Sequence, residues 1–227
     1  MIFALFQSLS GGRTGTRRRT QREPAGPVKV NLGSGLLVAP GWINIDLGWY
    51  SPLRYLPRFV LSYLYSRSGW HSVIEIDHYV QVLKTNRFMH SDLRHGLPFK
   101  DNSVNYIFCS HFLDSLTASD GERLIREARR VLLPGGVIRV SVSDFDRSVD
   151  LYRSGARQQV LGRLFPSSPS ELGRRKCIYD EAMLTAALSA VGLCKIRRCE
   201  YRDGAVPDLQ LLDNRPEESL FLEAVKP

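Results

Sequence analysis

Two apolar runs near the start of the chain stand too close together for an ordinary crossover. Val28, Val30 and Leu32 alternate with polar residues and stop at Gly33 and Gly35; Trp42-Ile43-Asn44-Ile45-Asp46 begins nine residues after Gly33. A helical crossover between parallel strands takes a dozen residues or more, and Pro40-Gly41 would interrupt one. If both runs lie in one sheet, the first crossover is abbreviated. Further strands are expected at Arg87–Leu93, where an acid (Asp92) closes the run, at the nearly continuous Val104–Cys109, and at Val137–Val142. Leu124, Ile125, Ala128, Val131 and Leu132 share one helical face. A capping box at Ser119-Asp120-Gly121-Glu122 is read as starting that helix, and Pro134-Gly135-Gly136 as ending it. Asp180 caps a later helix with Met183, Leu184, Ala187, Leu188 and Val191 inward, closed by Gly192. Cys194–Tyr201 and Ser219–Val225 form a C-terminal antiparallel pair. Helices alternating with apolar strands give a three-layer α/β domain, a Rossmann-like sheet with helices on both faces.

A chain of 227 residues suits one such domain. Residues 1–27 read as a disordered basic arm and 28–227 as the folded domain. The net charge of +8 is uneven: Arg13, Arg17, Arg18, Arg19 and Arg22 against Glu23 put half of it in the arm. Such an arm can bind nucleic acid or acidic membranes, although a solvated terminus is the simpler reading. The apolar start precedes the arginines, the wrong order for a secretory signal, and no apolar run approaches the roughly 20 residues of a membrane span. Cys109, Cys177, Cys194 and Cys199 show no metal-ligand spacing, so reduced thiols and a cytoplasmic location are expected. Residues 47–86 interleave Trp49, Tyr50, Tyr55, Phe59, Tyr63, Tyr65 and Trp70 with Arg54, Arg58 and Arg67. They read as a lid-like insertion packing its aromatics on the sheet, in preference to a membrane-surface helix.

The chemistry gathers at strand ends. In open α/β sheets ligands bind at the carboxyl ends of the strands. The Asn31-Leu32-Gly33-Ser34-Gly35 turn lies there and lets backbone approach a ligand closely. It is not a dinucleotide fingerprint, because Leu36 and Val38 stand where another glycine belongs and no helix follows to receive a pyrophosphate. Asp46 could accept the two hydroxyls of a ribose, and Asp92, with Leu93 beside it, could take an adenine amino group and ring.

These segments are followed by Leu97-Pro98-Phe99-Lys100-Asp101-Asn102-Ser103, Ser110-His111-Phe112-Leu113-Asp114-Ser115-Leu116 and Arg130-Val131-Leu132-Leu133-Pro134-Gly135-Gly136. Together they resemble the class I S-adenosylmethionine (SAM)-dependent methyltransferases, in particular a bacterial subgroup whose members often accompany cell-surface glycan genes. The resemblance runs from about Val28 onward. It implies SAM as cofactor, held by Gly33, Gly35 and Asp46 with Asp92 near the adenine; Asn31, Leu93 and Ser110 complete the expected contacts. Two departures stand out: the subgroup has Glu-His at Asp114-Ser115, and a His before Cys177 where this chain has Arg174-Arg175-Lys176.

Methyl transfer is an in-line displacement that rests on alignment, and a hydroxyl acceptor needs a base. His111 is the first candidate and Asp144 the second, with Asp146 nearby. Asp144-Phe145-Asp146 lacks a second ligand cluster, so no metal is expected. The Asn/Asp-Pro-Pro-aromatic motif of amino-group methyltransferases is absent. The expected activity is O-methylation of a glycan or small hydroxylated acceptor. A nucleic-acid-binding or RNA-modifying methyltransferase (from the arm and Arg174-Arg175-Lys176) and a non-catalytic SAM-fold partner subunit (from Ser115 and the aromatic insertion) are the alternatives. An NAD oxidoreductase is disfavoured by the missing glycine pattern. Oligomeric state stays open.

Overall fold

The computed structural model describes residues 26–68, 74–164 and 175–227. The arm to residue 25, Trp70 and Arg174 lie outside the described residues. Seven strands, β1 (Lys29–Leu32), β2 (Ile43–Asp46), β3 (Arg87–His90), β4 (Val104–Ser110), β5 (Leu132–Ser143), β6 (Cys194–Cys199) and β7 (Ser219–Val225), form one sheet in the order β3-β2-β1-β4-β5-β7-β6. β1 to β5 pair in parallel, and β7 runs antiparallel to both β5 and β6. The helices are α1 (Tyr50–Leu53), α2 (Arg58–Ser66), α3 (Ile76–Thr85), α4 (Ala118–Val131), α5 (Phe145–Arg153), α6 (Arg157–Leu164), α7 (Glu181–Ala190) and α8 (Leu209–Leu212). This is a Rossmann-like sheet with an antiparallel C-terminal pair.

Ile107 and Phe108 are adjacent on β4 and both fully buried, so the sheet is covered on its two faces. One face is apolar. Val30, Ile107, Ile138 and Ala224 lie in one register row, and Leu32, Cys109, Val140 and Leu222 in another. Leu124, Ile125 and Ala128 of α4 and Leu184 and Leu188 of α7 belong to the same core.

The opposite face carries a different row across all seven strands: Phe88, Asn44, Asn31, Phe108, Arg139, Glu223 and Arg197. Asn31, Asn44, Arg139 and Glu223 are buried. Two connections that cross this face as loops explain them: the abbreviated crossover, served by Asn31 and Asn44, and the segment between β6 and β7, served by Arg139 and Glu223. No helix joins β1 to β2; the segment 33–42 crosses as a loop, and Ala39 and Trp42 pack with Val206, Leu209, Leu212 and Phe108. Loop backbone pressed onto a sheet has N–H and C=O groups that no helix satisfies. The polar row supplies the partners. Asn31 Nδ2 donates to Leu37 O at 2.8 Å and to Asn44 Oδ1 at 3.1 Å. Arg139 donates to Asp203 O and Glu200 O, and Glu223 accepts the N–H groups of Ala205 and Val206. Arg139 spends its remaining donors on Asp213 (2.9 and 2.6 Å) and Glu223 (3.4 Å), so all five N–H groups are engaged. Asp208 ties the layer down, accepting from Lys29 Nζ and Trp42 Nε1.

Several local expectations are corrected. Thr117, not Ser119, caps α4, its Oγ1 accepting from Asp120 N–H at 3.2 Å. Pro134-Gly135-Gly136 does not end that helix, which stops at Val131; it lies within β5, where Gly135 N–H and Gly136 O pair with Lys226. β3 ends at His90, two residues before Asp92. Asp180 caps α7, but Met183 faces out, half exposed. In the insertion, Tyr50 packs on Phe88 and Tyr65 on Tyr79, whereas Trp49, Tyr55, Phe59 and Tyr63 are exposed.

Candidate functional site

The five parallel strands bring their carboxyl ends to one edge, where the turn after β1, Asp46, Asp92, His111 and Asp144 all emerge. Gly33 N–H donates to Ile45 O at 2.9 Å, which seats the turn on β2. Gly33 and Gly35 both have positive φ. The Phe112 ring lies over Gly33, so that a Cβ there would stand 2.2 Å from it, whereas the space over Gly35 is open. Asp46 spans the opening. Its Oδ2 accepts Gly35 N–H at 2.9 Å and its Oδ1 accepts Gly48 N–H at 2.7 Å. Each oxygen keeps a lone pair, so a half-buried carboxylate is preorganised to accept two adjacent hydroxyls. This fits a ribose diol lying over Gly35.

Asn31 stands beneath the turn and holds Leu37 O, shaping the loop from inside. Asp92 caps a 3-10 turn at Leu93–His95 and grips Arg94 through Nε (2.9 Å) and Nη2 (2.6 Å). The Arg94 hydrogen bond pushes its pKa down to about 2. Leu93 is buried in the core, and Ser110 donates to Asn214 Oδ1 while accepting from Ser141.

His111 leaves β4 with φ at +47° and its side chain turns into the protein, 8% exposed. Nε2 lies 2.8 Å from Ser219 Oγ, whose own proton goes to Arg215 O, so His111 donates there. That leaves Nδ1 as an unprotonated nitrogen, buried without a hydrogen-bond partner, 4.0 Å from Asp114 Oδ2. Burial, with Arg215 and Arg175 nearby, lowers the His111 pKa to about 3. Burial raises that of Asp114, against the pull of Arg175, whose Nε is 3.3 Å away. Cys109 below is pushed up to about 12 by burial. Asp144 is buried and committed: Oδ1 caps α5 through Arg147 N–H, and Oδ2 pairs with Arg198 at 3.3 Å. Asp146 is exposed. Among the described residues no group of three or more His, Cys, Asp or Glu could hold a metal ion.

The structure thus brings Gly33, Gly35 and Asp46 together, sets Asp92 and Ser110 on the same edge, and turns Asn31, Leu93, His111 and Asp144 inward. Phe112, Asp114, Arg175 and Ser219 were missed. Arg175 and Ser219 reach the site from far along the chain; the departure at Arg174-Arg175-Lys176 marks the first without placing it here, and no local pattern marks Ser219.

Residues 58–140 match the model of a methyltransferase domain; the match begins at α2, so the glycine turn and Asp46 lie outside it. No curated protein matches the chain. In fold it is similar to a SAM-dependent methyltransferase from Thermotoga maritima described as a possible histamine N-methyltransferase, at 12% identity, covering 89% of this chain and 83% of that one with a TM-score of 0.52. It is also similar to a SAM-dependent methyltransferase from Archaeoglobus fulgidus (11% identity, 88% and 87% covered, TM-score 0.51). The SAM-dependent methyltransferase SibL gives 18% identity, 88% and 50% covered, and a TM-score of 0.51. The neighbours show the fold, and residues 58–140 are similar to a methyltransferase domain.

Proposed function

We propose that the chain is a SAM-dependent methyltransferase that acts in the cytoplasm on a hydroxyl of a glycan or another small hydroxylated acceptor. The observation carrying the site is Asp46, fixed between Gly35 and Gly48 with acceptor capacity to spare and open space over Gly35. In this reading Gly33, Gly35 and Asp46 hold the sugar of SAM, with Asp92 and Ser110 lining the same edge. Bound there, SAM supplies an electrophilic methyl group on a sulfonium. The chain orients the acceptor oxygen in line with that methyl; the C–O bond forms as the carbon–sulfonium bond breaks, S-adenosylhomocysteine leaves, and the hydroxyl proton passes to water at the open edge. Neither ring nitrogen of His111 and neither oxygen of Asp144 faces an acceptor, so both act as positioning residues: His111 braces the end of β4 against β7, and Asp144 anchors α5. The cytoplasm suits four cysteines that are all unpaired.

The test supplies methyl-labelled SAM with a panel of glycan and small hydroxylated acceptors. Label in a base-stable methyl ether, with S-adenosylhomocysteine released, is expected. Label on nitrogen or in a base-labile ester refutes the acceptor class, and SAM binding without transfer to any acceptor would favour the partner-subunit role. His111→Asn should keep kcat within about tenfold; a loss of 10² to 10⁴ would make it the base after all.

A further inference from the structure

Helix α2 is apolar on both sides although only one side is covered. Leu61 is fully buried and Tyr65 packs on Tyr79, donating its hydroxyl to Ile74 O. On the outer side Phe59 and Tyr63, one turn apart, are 76% and 56% exposed, and Arg67 follows one turn later with its guanidinium 5.5 Å from the Tyr63 ring. Tyr55, 79% exposed, precedes them with Arg54 at the same 5.5 Å. Helices apolar all round are normally buried, and exposed aromatic stripes mark interaction surfaces. Among the described residues no carboxylate pairs with Arg54 or Arg67; the one ion pair on the outer surface of α2 is Arg58 with Asp77. Aromatic rings interleaved with unneutralised arginines complement an apolar layer bordered by negative charge. Self-association through the stripe would set its arginines against like charges. The five arginines of residues 13–22 supply a second cationic segment in the same chain, and stable membrane anchoring takes two signals.

We propose that the Tyr55–Arg67 face docks on an anionic phospholipid surface, its rings at the level of the headgroups and Arg54 and Arg67 on their phosphates. Leu47 and Trp49, also exposed, directly follow Asp46 in the chain, so docking holds the enzyme where an acceptor carried on a lipid could reach the cofactor edge. The inference does not depend on the acceptor class.

The test is flotation of the full-length protein with vesicles of pure phosphatidylcholine and with vesicles in which half the lipid is phosphatidylglycerol. Binding to the anionic vesicles alone, weakening with salt, is expected. Phe59→Ser with Tyr63→Ser should reduce it by about tenfold or more, and Arg54→Gln and Arg67→Gln by about fivefold each, with SAM binding unchanged as the control for folding. Absence of binding, equal binding to neutral vesicles, or binding untouched by the four substitutions but abolished by Arg17→Gln, Arg18→Gln and Arg19→Gln would overturn it. So would a dimer dispersed by Phe59→Ser, or an acceptor KM raised by that change with no vesicle binding.

Discussion

The two faces of the sheet are built on different terms. On one, α4 and α7 satisfy their own backbones and present only side chains, so the strands answer with Val30, Ile107, Ile138, Leu32 and Val140. On the other, where the first crossover has no helix, loops lie on the strands, and the answer is Asn31, Asn44, Arg139 and Glu223, each engaged with main-chain groups. A connection that crosses a sheet as a loop still has backbone to satisfy, and that work moves onto buried side chains.

The sharpest break in this comparison is Arg139→Met, which strands Asp213 as a buried charge, leaves Glu223 to Arg197 alone among cations, and orphans Asp203 O and Glu200 O. We expect a loss of about 3–5 kcal/mol in urea unfolding. Replacing the whole group with Arg139→Met, Asp213→Leu and Glu223→Leu should not recover it. An ion triad alone can be exchanged for apolar residues, but here Ala205, Val206 and Arg202 N–H groups would lose their acceptors too. Recovery to wild-type stability would show that the network does no backbone work.

His111 extends the comparison to acid. Folded, it titrates near 3, against 6.5 for the free side chain. Between those values the unfolded chain binds a proton that the folded chain does not, so this group makes stability rise from pH 3 to 6.5 and adds no slope above. Asp114, raised by burial, contributes in the opposite sense. Wild type minus His111→Asn should therefore lose stability on acidification from 6.5, on the order of a few kcal/mol by pH 3; a difference flat with pH would mean that His111 is accessible to protons.

Asn31→Leu, nearly isosteric, should cost about 1–3 kcal/mol because Leu37 O is left unpaired, whereas Ile107→Val on the helix-covered face should cost only about 0.5–1.5 kcal/mol. The reverse ranking in thermal melts would contradict the division of labour. Thr117→Ala should cost about 1 kcal/mol by removing the α4 cap, with Ser119→Ala near neutral, read by the same melts.

The chain spells out what depends on near neighbours. The alternation at Val28, Val30 and Leu32, the Asp180 cap and the short crossover are all local patterns. Thr117 and Ser119 each fit a capping pattern over the same few residues, and burial of Leu116 in the core decides between them. Pro134-Gly135-Gly136 carries turn chemistry, yet pairs with Lys226, a contact spanning most of the C-terminal half. That Gly33, Gly35 and Asp46 lie together was legible because adjacent parallel strands place their ends side by side. The inward turn of His111 was not, since Ser219 and Arg175 impose it from more than 60 residues away.

The central claim is that Asp46 organises the cofactor edge. Calorimetry with SAM on the wild-type chain and on Asp46→Asn tests it directly. Micromolar binding by the wild type, weakened about 10- to 100-fold in the variant at unchanged stability, is the expected result. Equal affinity in the two proteins would contradict it.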